Sequence, residues 1–267
     1  MKDLLGYAGA KVVITGAASG MGEAAARLLV DLGAEVHALD VRPVKVGVAQ
    51  AVATNLAERG SIDAALAQLP KRVDALFHCA GLPGPPFSSL ETMLVNFVGL
   101  RHLNESVLPR IPEGGAIAAI TSVAGMGWRK NLEAVQALVA SEGFEAGKAW
   151  CEANPDKANG YLFSKQCIIY YTKRRASELV ARRIRMNCLS PAPTATPMLP
   201  AFHQQVGREL IDQHFQAPVG RDATPEEMAE PLVFLNSQLA RFVSGVNLHV
   251  DYAYEAMIDA GLRPALL

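Results

Sequence analysis

The feature that most constrains the fold is a glycine-rich turn between an apolar segment and a helical one. The apolar run Lys11–Thr15 predicts a buried strand, and Gly16, Gly20 and Gly22 follow it at once. A helix predicted over Glu23–Leu32 comes next. Strand, glycine turn and helix in this order predict the first unit of a parallel α/β sheet, with a ligand site at its edge.

Short apolar runs alternate with helical segments along the rest of the chain. Further strands are predicted at 35–39, 75–79, 116–120, 185–189 and 245–250, and helices at 62–69, 90–107, 161–181 and 225–235. This alternation is typical of a doubly wound fold, in which helices cover both faces of a parallel sheet. Because composition does not change along the chain, we expect residues 1–267 to form one α/β domain of the Rossmann type.

Composition argues against several other classes of protein. The formal net charge is -1, which does not suit a general nucleic-acid binder. No run approaches the ~18 unbroken apolar residues of a membrane span, so no membrane partner is expected. Met1–Ala10 has no long apolar run, so no secretory leader is expected either. The four scattered cysteines predict neither a disulfide framework nor a metal site, which favours a cytoplasmic protein.

The glycine turn has the composition of a dinucleotide site. Gly16 permits the tight turn, Gly20 lets the backbone approach a pyrophosphate, and Gly22 lets helix and strand pack closely. The start of the following helix offers free N–H groups to the phosphates. A glycine-rich turn without a ligand is the alternative, but the strand before the turn and the helix after it favour the dinucleotide.

An acidic residue further along specifies the expected cofactor. Asp40 ends the second predicted strand, 24 residues after Gly16. A carboxylate there accepts hydrogen bonds from the adenosine ribose and repels a 2′-phosphate, so NAD is predicted rather than NADP. Arg42 is either a solvated arginine or a group able to hold a phosphate. Asn55 and Leu56 stand where a polar and an apolar side chain can flank the adenine.

Three side chains form the predicted catalytic group. Tyr161 and Lys165 are four residues apart, which places them on one face of a helix. We expect the lysine ammonium, helped by the positive nicotinamide of NAD, to lower the tyrosine pKa and make it an acid–base catalyst. Ser122 follows the strand that ends at Ile120, at the sheet edge that binds ligands, where its hydroxyl can polarise a carbonyl. An ordinary loop serine is the alternative for Ser122.

Taken together, these segments resemble the short-chain dehydrogenase/reductase family, and the resemblance covers nearly the whole chain. The matching segments are Thr15–Gly22 (TGxxxGxG), His78–Gly81 (NNAG in the family), Val95–Gly99 (VNxxG), Thr121–Ser122, Tyr161–Lys165 (YxxxK), Arg185–Asn187 and Pro191–Pro197 (PGxxxTP). The resemblance implies that Asn96 helps to hold a water of the proton relay. It also implies cofactor contacts from Ser19, Met21, Val41, Cys79, Ala80, Gly81, Tyr161, Lys165, Pro191, Thr194 and Thr196.

The chain departs from the family pattern in two short motifs. His78 and Cys79 replace the two asparagines of NNAG, which affects support of the sheet more than chemistry. Ala192 replaces the glycine after Pro191, at the loop that faces the nicotinamide. None of the predicted catalytic groups is lost.

The largest departure is an insertion of about residues 128–159 before Tyr161. Leu132, Val135, Leu138 and Val139 are spaced to share one helical face there. A similar helical insertion is found in the bacterial 3α-hydroxysteroid dehydrogenase/carbonyl reductase group, the nearest subgroup by resemblance. The insertion either covers the usual pairing surface of its own chain or becomes a subunit contact itself. In both cases a homodimer is predicted instead of the usual tetramer.

The predicted activity is NAD(H)-dependent interconversion of a secondary alcohol and a ketone. A segment of about 198–218 is expected to cover the substrate site as a lid, and its apolar residues suit a bulky apolar substrate such as a hydroxysteroid. A terpenoid or aryl alcohol is the alternative substrate. A non-catalytic protein that senses NAD is the alternative class, although such proteins usually lose the tyrosine or the lysine.

Overall fold

Seven parallel strands form one sheet in the computed structural model, which describes residues 3–213 and 219–264. The strands are β1 (Lys11–Thr15), β2 (Glu35–Asp40), β3 (Gln50–Ala53), β4 (Ala75–His78), β5 (Ala116–Ile120), β6 (Arg185–Pro191) and β7 (Asn247–Val250). Their order is β3-β2-β1-β4-β5-β6-β7. Successive strands are thus added towards one edge of the sheet from β1 to β3 and towards the other edge from β4 to β7. The switch point between β1 and β4 is where open α/β sheets bind ligands.

Helices cover both faces of this sheet. In chain order they are α1 (Gly20–Asp31), α2 (Arg59–Leu66), α3 (Ser89–Met93), α4 (Gly99–Val107), α5 (Leu132–Ala140), α6 (Gly143–Ala153), α7 (Tyr161–Glu178), α8 (Leu199–Val206), α9 (Arg208–Ile211), α10 (Pro225–Asn236) and α11 (Tyr254–Asp259). The predicted doubly wound fold is confirmed. In the described part of the chain, no helix is both long and apolar enough to cross a membrane.

Each face of the sheet carries its own hydrophobic core. On one face α1 buries Gly22, Ala25, Ala26 and Leu29, a spacing of three and four residues that gives a helix one apolar side. On the other face α4 and α7 bury larger side chains, among them Leu103 and Phe163. Because β5 is buried on both faces, it appears in the sequence as an unbroken apolar run.

The inserted segment folds over its own chain, which is the first of the two predicted arrangements. Val135 and Leu138 of α5 are fully buried in the core that α4 and α7 share, and Val139 joins them. Leu132 was expected on the same face but is 37% exposed, because it lies at the first turn of α5. The insertion contains two helices, α5 and α6, which are separated by a short break between Ala140 and Gly143.

A buried arginine fixes the break between these two helices. Arg101 of α4 donates from Nη1 to the carbonyl of Leu138 at 2.8 Å and to the hydroxyl of Ser141 at 3.1 Å. Its Nη2 donates to the carbonyl of Gly143 at 2.7 Å. The guanidinium therefore joins the last turn of α5 to the first residue of α6.

Several predicted boundaries were wrong. β3 was not predicted, since Val52 is its one buried residue and no apolar run marks it. The helix expected over 90–107 is interrupted by a π-helical turn at Leu94–Val98, and the one expected to reach Ala181 ends at Glu178. The predicted strand 75–79 ends at His78. Of the predicted lid, 198–213 contains α8 and α9, whereas 214–218, including Phe215, lie outside the described residues.

Candidate active site

One cavity of about 1010 Å³ opens at the carboxyl ends of the strands on both sides of the β1–β4 switch point. It brings together all but one of the predicted catalytic and cofactor-binding residues. The lining includes Gly16, Ser19, Gly20, Met21, Gly22, Asp40, Val41, Asn55, Leu56, Cys79, Ala80, Gly81, Ser122, Tyr161, Lys165, Pro191, Thr194 and Thr196. Asn96 lies behind the cavity wall and is fully buried.

The glycine turn is tight because its neighbours leave no space for side chains. Gly16 has φ of 76°, and a Cβ there would lie 2.5 Å from the backbone nitrogen of Ala80. A Cβ on Gly22 would lie 2.0 Å from the carbonyl oxygen of Gly16. Thr15, which sequence reasoning did not assign, accepts hydrogen bonds at Oγ1 from the N–H groups of Cys79 and Ala80. These contacts hold the start of α1 against the loop after β4.

Asp40 is a nearly buried carboxylate with a fixed orientation. Its Oδ2 accepts from the N–H of Ala18 at 2.9 Å, and its Oδ1 accepts from the N–H of Arg42 at 2.9 Å. The Arg42 guanidinium lies 3.8 Å from Oδ1 and donates to Ser19 Oγ at 2.6 Å. The turn before α1 and the end of β2 therefore meet at one anionic group, with a cation on its outer side.

The far end of the cavity has both polar and apolar walls. Val41 is exposed, whereas Leu56 is buried and presents one side to the cavity. The Asn55 amide is already used locally: it donates to Glu58 at 2.8 Å and accepts from the N–H of Ala57 at 3.0 Å. Asn55 lines the expected adenine position, but the apolar side chains are the ones available for contact there.

Tyr161 and Ser122 meet at the centre of the cavity. Tyr161 begins α7, Ser122 follows β5, and their hydroxyl groups are close enough for Ser122 to influence the pKa of Tyr161. Burial raises the pKa of Tyr161 to about 12, and the hydrogen bond from Ser122 opposes this rise. Desolvation of the phenolate is thus the largest effect among the chain's own groups, and the lowering of this pKa by Lys165 together with the nicotinamide of NAD stays a prediction.

Lys165 lies one helical turn after Tyr161 and is buried beneath the cavity floor. Its Nζ donates to the carbonyl of Ile120 at 3.1 Å and lies 5.4 Å from the centroid of the Tyr161 ring. Burial lowers the pKa of Lys165 to about 8, and the thiols of Cys79 and Cys188 act in the opposite direction. The expected placement of the tyrosine and lysine on one helix face is confirmed.

The Asn96 side chain holds a loop of the cavity wall in place. Its Oδ1 accepts from the N–H of Leu82 at 2.7 Å, and its Nδ2 donates to the carbonyl of Leu82 at 3.0 Å and to Ser164 Oγ at 3.1 Å. The residue lies in the π-helical turn, a feature frequent at functional sites. Its predicted part in a water relay stays a prediction.

The loop after β6 closes the cavity opposite the glycine turn. Pro191 ends β6, and the Thr194 hydroxyl donates to the carbonyl of Ala192 at 2.8 Å, which fixes the loop. Thr196 approaches the start of α1 so closely that a Cβ on Gly20 would lie 3.1 Å from its Cγ2. The predicted nicotinamide loop and the predicted phosphate turn therefore face one another.

His78 and Cys79, which replace the two asparagines of the family's NNAG motif, have different surroundings. His78 is buried, its Nε2 lies 3.3 Å from Asn104 Oδ1, and burial lowers its pKa to about 4. It is therefore a neutral core residue behind the site, as the departure from the motif indicated. Cys79 faces the cavity, and burial raises its thiol pKa to about 12.

An apolar wall on one side of Tyr161 was foreseen only in part. Besides the predicted lid residues Met198, Leu199 and Phe202, it includes Gln205 and the loop 82–87. Among the described residues, no group of three or more histidine, cysteine and acidic side chains is placed to hold a metal ion.

Comparisons with known proteins agree with this geometry. A family model described as short chain dehydrogenase matches residues 10–137, and one described as enoyl-(acyl carrier protein) reductase matches residues 150–255. A coniferyl-alcohol dehydrogenase from a Pseudomonas species is 35% identical over 245 residues, which cover 90% of this chain and 94% of that protein. The 3-alpha-hydroxysteroid dehydrogenase/carbonyl reductase of Comamonas testosteroni is 33% identical, covering 95% and 98% respectively.

A solved structure is also similar over nearly the whole chain. The 3-alpha-hydroxysteroid dehydrogenase from Pseudomonas sp. B-0831, crystallised in complex with NADH, has a TM-score of 0.80 and 27% identity. The match covers 94% of this chain and 99% of that one. The protein belongs to the short-chain dehydrogenase/reductase family. It is an oxidoreductase of this family, and two of its relatives are named as dehydrogenases of coniferyl alcohol and of 3-alpha-hydroxysteroids.

Proposed function

We propose that this enzyme uses NAD(H) to interconvert a secondary alcohol and a ketone on a bulky apolar substrate such as a hydroxysteroid. The observation that carries the proposal is that Tyr161 and Ser122, whose hydroxyl groups interact, line the same cavity as the glycine turn and the Asp40 carboxylate. Acid–base groups and a dinucleotide site thus face one space, as hydride transfer to or from an alcohol carbon requires.

The residues of the glycine turn fit a dinucleotide. Gly16 and Gly22 leave a cradle that a Cβ would fill. Ser19, the residue before α1, makes no side-chain cap, which leaves the first N–H groups of this 12-residue helix to bind phosphate. The fixed Asp40 carboxylate would accept the ribose hydroxyls and disfavour a 2′-phosphate, which supports NAD over NADP. When bound, the cofactor supplies the hydride acceptor for oxidation and the hydride donor for reduction.

The chain's own groups handle the proton. During oxidation, the alcohol O–H bond would break and its proton would pass to the Tyr161 phenolate oxygen. The C–H bond on the carbon that bears this oxygen would break as well, and its hydride would pass to the oxidised nicotinamide. Ser122 holds the substrate oxygen beside Tyr161 through its own hydroxyl. During reduction the tyrosine returns the proton to the developing alkoxide. This two-way use of one group is general acid–base catalysis.

Lys165 and the oxidised nicotinamide would make the phenolate accessible near neutral pH. Burial by itself holds the pKa of Tyr161 at about 12, so a compensating positive charge is needed. The Lys165 ammonium lies 5.4 Å from the ring, and its own pKa of about 8 keeps it protonated at neutral pH. Asn96 supports this arrangement by fixing the loop at Leu82, which forms part of the cavity wall.

The most direct test is an assay with NAD and a panel of steroid, terpenoid and aryl alcohols. Oxidation of a bulky apolar alcohol, followed as NADH formation, would support the proposal, and the best substrate would decide between a steroid and the second candidate, an aryl alcohol. The aromatic Phe202 beside Tyr161 is the observation that favours the second candidate. A protein that binds NADH tightly but oxidises no alcohol in the panel would contradict the proposed reaction.

A further inference from the structure

An aromatic side chain lies directly against the ring of Tyr161. The centroids of Tyr161 and Phe202 are 4.9 Å apart and their planes make an angle of 61°, an edge-to-face contact. The hydroxyl of Tyr161 faces the same cavity as Ser122 and interacts with its hydroxyl. A substrate whose oxygen binds Tyr161 and Ser122 therefore places the group attached to its reacting carbon next to Phe202.

A second residue of α8 fixes the position of that ring. Gln205, three residues after Phe202 and so on a neighbouring part of the helix surface, donates from Nε2 to the carbonyls of Pro83 and Pro85 at 3.3 and 3.1 Å. A Cβ on Gly84 would lie 3.7 Å from Gln205 Oε1 and 3.9 Å from Tyr161 Cβ. The loop 83–85, the helix α8 and the start of α7 thus form one contact cluster around the substrate position.

Helix α8 has little other support from the core. Leu199 is buried, but residues 204–206 at the end of the helix are exposed. The hydrogen bonds of Gln205 are therefore important for where Phe202 stays, because an exposed helix end gains little from hydrophobic burial.

We propose that Phe202 is a specificity-determining residue, which favours alcohols whose reacting carbon belongs to a flat ring system or is bonded to one, and that Gln205 holds it in place. This inference rests on the proposed function and narrows its substrate class. A flat ring beside Phe202 gains a directional aromatic contact in addition to buried area. A flexible alkyl chain of equal size gains the area but loses rotational freedom on binding.

The test compares 1-phenylethanol with 2-octanol, which have the same number of carbon atoms, in the unmodified enzyme and in Phe202→Leu. The substitution keeps an apolar side chain and removes the aromatic face. We expect kcat/KM for 1-phenylethanol to fall about three- to tenfold and that for 2-octanol to change less than about twofold. Gln205→Leu should also lower the ratio of kcat/KM for 1-phenylethanol to kcat/KM for 2-octanol. Gln204→Leu, at an exposed neighbouring residue, should leave this ratio unchanged.

Binding provides a readout that does not depend on turnover. The affinity of the complex with oxidised NAD for acetophenone and for 2-octanone, pairs that cannot react, should show the same selective loss in Phe202→Leu when measured by calorimetry. If no alcohol is oxidised but acetophenone binding still depends on Phe202, the proposed reaction fails and the specificity inference stands. Equal losses for the aromatic and the aliphatic ligand, or no loss for either, would overturn the inference.

Discussion

Asp40 shows how one side chain can specify the cofactor. Two backbone N–H groups, from Ala18 and Arg42, orient its carboxylate, so the charge stays at the expected ribose position. We predict that Asp40→Ala weakens NAD binding and relieves repulsion of NADP, which narrows the preference for NAD by roughly tenfold or more. Titration of both reduced cofactors against the two proteins measures this ratio.

Glu35→Ala is a suitable control, because Glu35 begins the same strand and does not line the cavity. It should leave the cofactor preference unchanged. If the unmodified enzyme bound NADPH more tightly than NADH, Asp40 would not determine the preference. Arg42, which now lies between Asp40 and Ser19, would then be the group that holds a 2′-phosphate.

His78 makes stability depend on pH. Burial lowers its pKa from 6.5 to about 4, so below pH 6.5 the unfolded chain takes up a proton that the folded chain refuses. The stability associated with this residue is therefore full above pH 6.5 and is lost as pH falls towards 4. Between pH 7 and pH 5 we predict a loss of about 2 kcal/mol from this residue.

Urea unfolding of the unmodified protein and of His78→Asn at the two pH values tests this prediction. The asparagine variant does not titrate in this range, so its free energy of unfolding should fall less over the same interval. An identical pH dependence in both proteins would show that His78 is not the titrating group.

At the scale of elements, Arg101 connects the inserted helices to the rest of the fold. Its buried guanidinium donates to Leu138 and Ser141 at the end of α5 and to Gly143 at the start of α6. Replacing it with methionine keeps most of the apolar stem but removes the hydrogen bonds of the buried guanidinium to Leu138, Ser141 and Gly143. We predict that Arg101→Met lowers the free energy of unfolding by about 2–4 kcal/mol.

Hydrogen exchange would locate the effect. Amides of α5 and α6 should exchange faster in Arg101→Met, while those of β1 and β4 keep their relative protection. Arg110→Met is a matched control, since Arg110 is exposed in part and its guanidinium bonds the carbonyls of Leu69 and Pro70 on another surface. Equal destabilisation by the two substitutions would mean that Arg101 has no special role in holding the insertion.

The elements show which features a sequence can reveal. β1 and β5 were predicted to the residue and α1 to within three residues, because buried parallel strands and one-sided helices leave clear apolar patterns. β3 left no such pattern. The helix 90–107 appeared continuous, since nothing in its apolar spacing marks a π-helical turn.

The site shows the same limit. Asp40, Tyr161 and Lys165 could be placed from spacing along single elements. The contacts of Phe202 with Tyr161 and of Gln205 with the loop at Pro83 join segments distant in sequence. An apolar lid residue such as Phe202 looks like an apolar core residue in a sequence, and the sequence does not show which carbonyl a glutamine such as Gln205 will bind. These contacts could therefore not be predicted.

At the scale of the molecule, the insertion packs on α4 and α7, the helices that the family resemblance implies as the usual pairing surface. We therefore keep the prediction of a homodimer and place its contact elsewhere. β7 is the last strand of the sheet, and the exposed Phe242 precedes it while the exposed Tyr252 follows it. An unpaired strand edge flanked by exposed aromatic rings favours association with a second copy.

Light scattering of the purified protein should give the mass of a dimer. Phe242→Asp should shift this mass towards the monomer. Val180→Asp, at an exposed apolar residue just after α7, should leave the dimer intact. A tetramer that does not dissociate on dilution, or a dimer unaffected by Phe242→Asp, would contradict this assignment.

The central claim is that Tyr161 transfers the proton in the cavity that the whole fold assembles. Tyr161→Phe keeps the ring, its contact with Phe202 and the helix α7, and removes the oxygen that Ser122 contacts. On the best alcohol found, kcat/KM should fall by about 10²–10⁴-fold while the dissociation constant for NADH changes less than about threefold. A loss in kcat/KM of less than about tenfold, with NADH binding intact, would show that another group carries the proton.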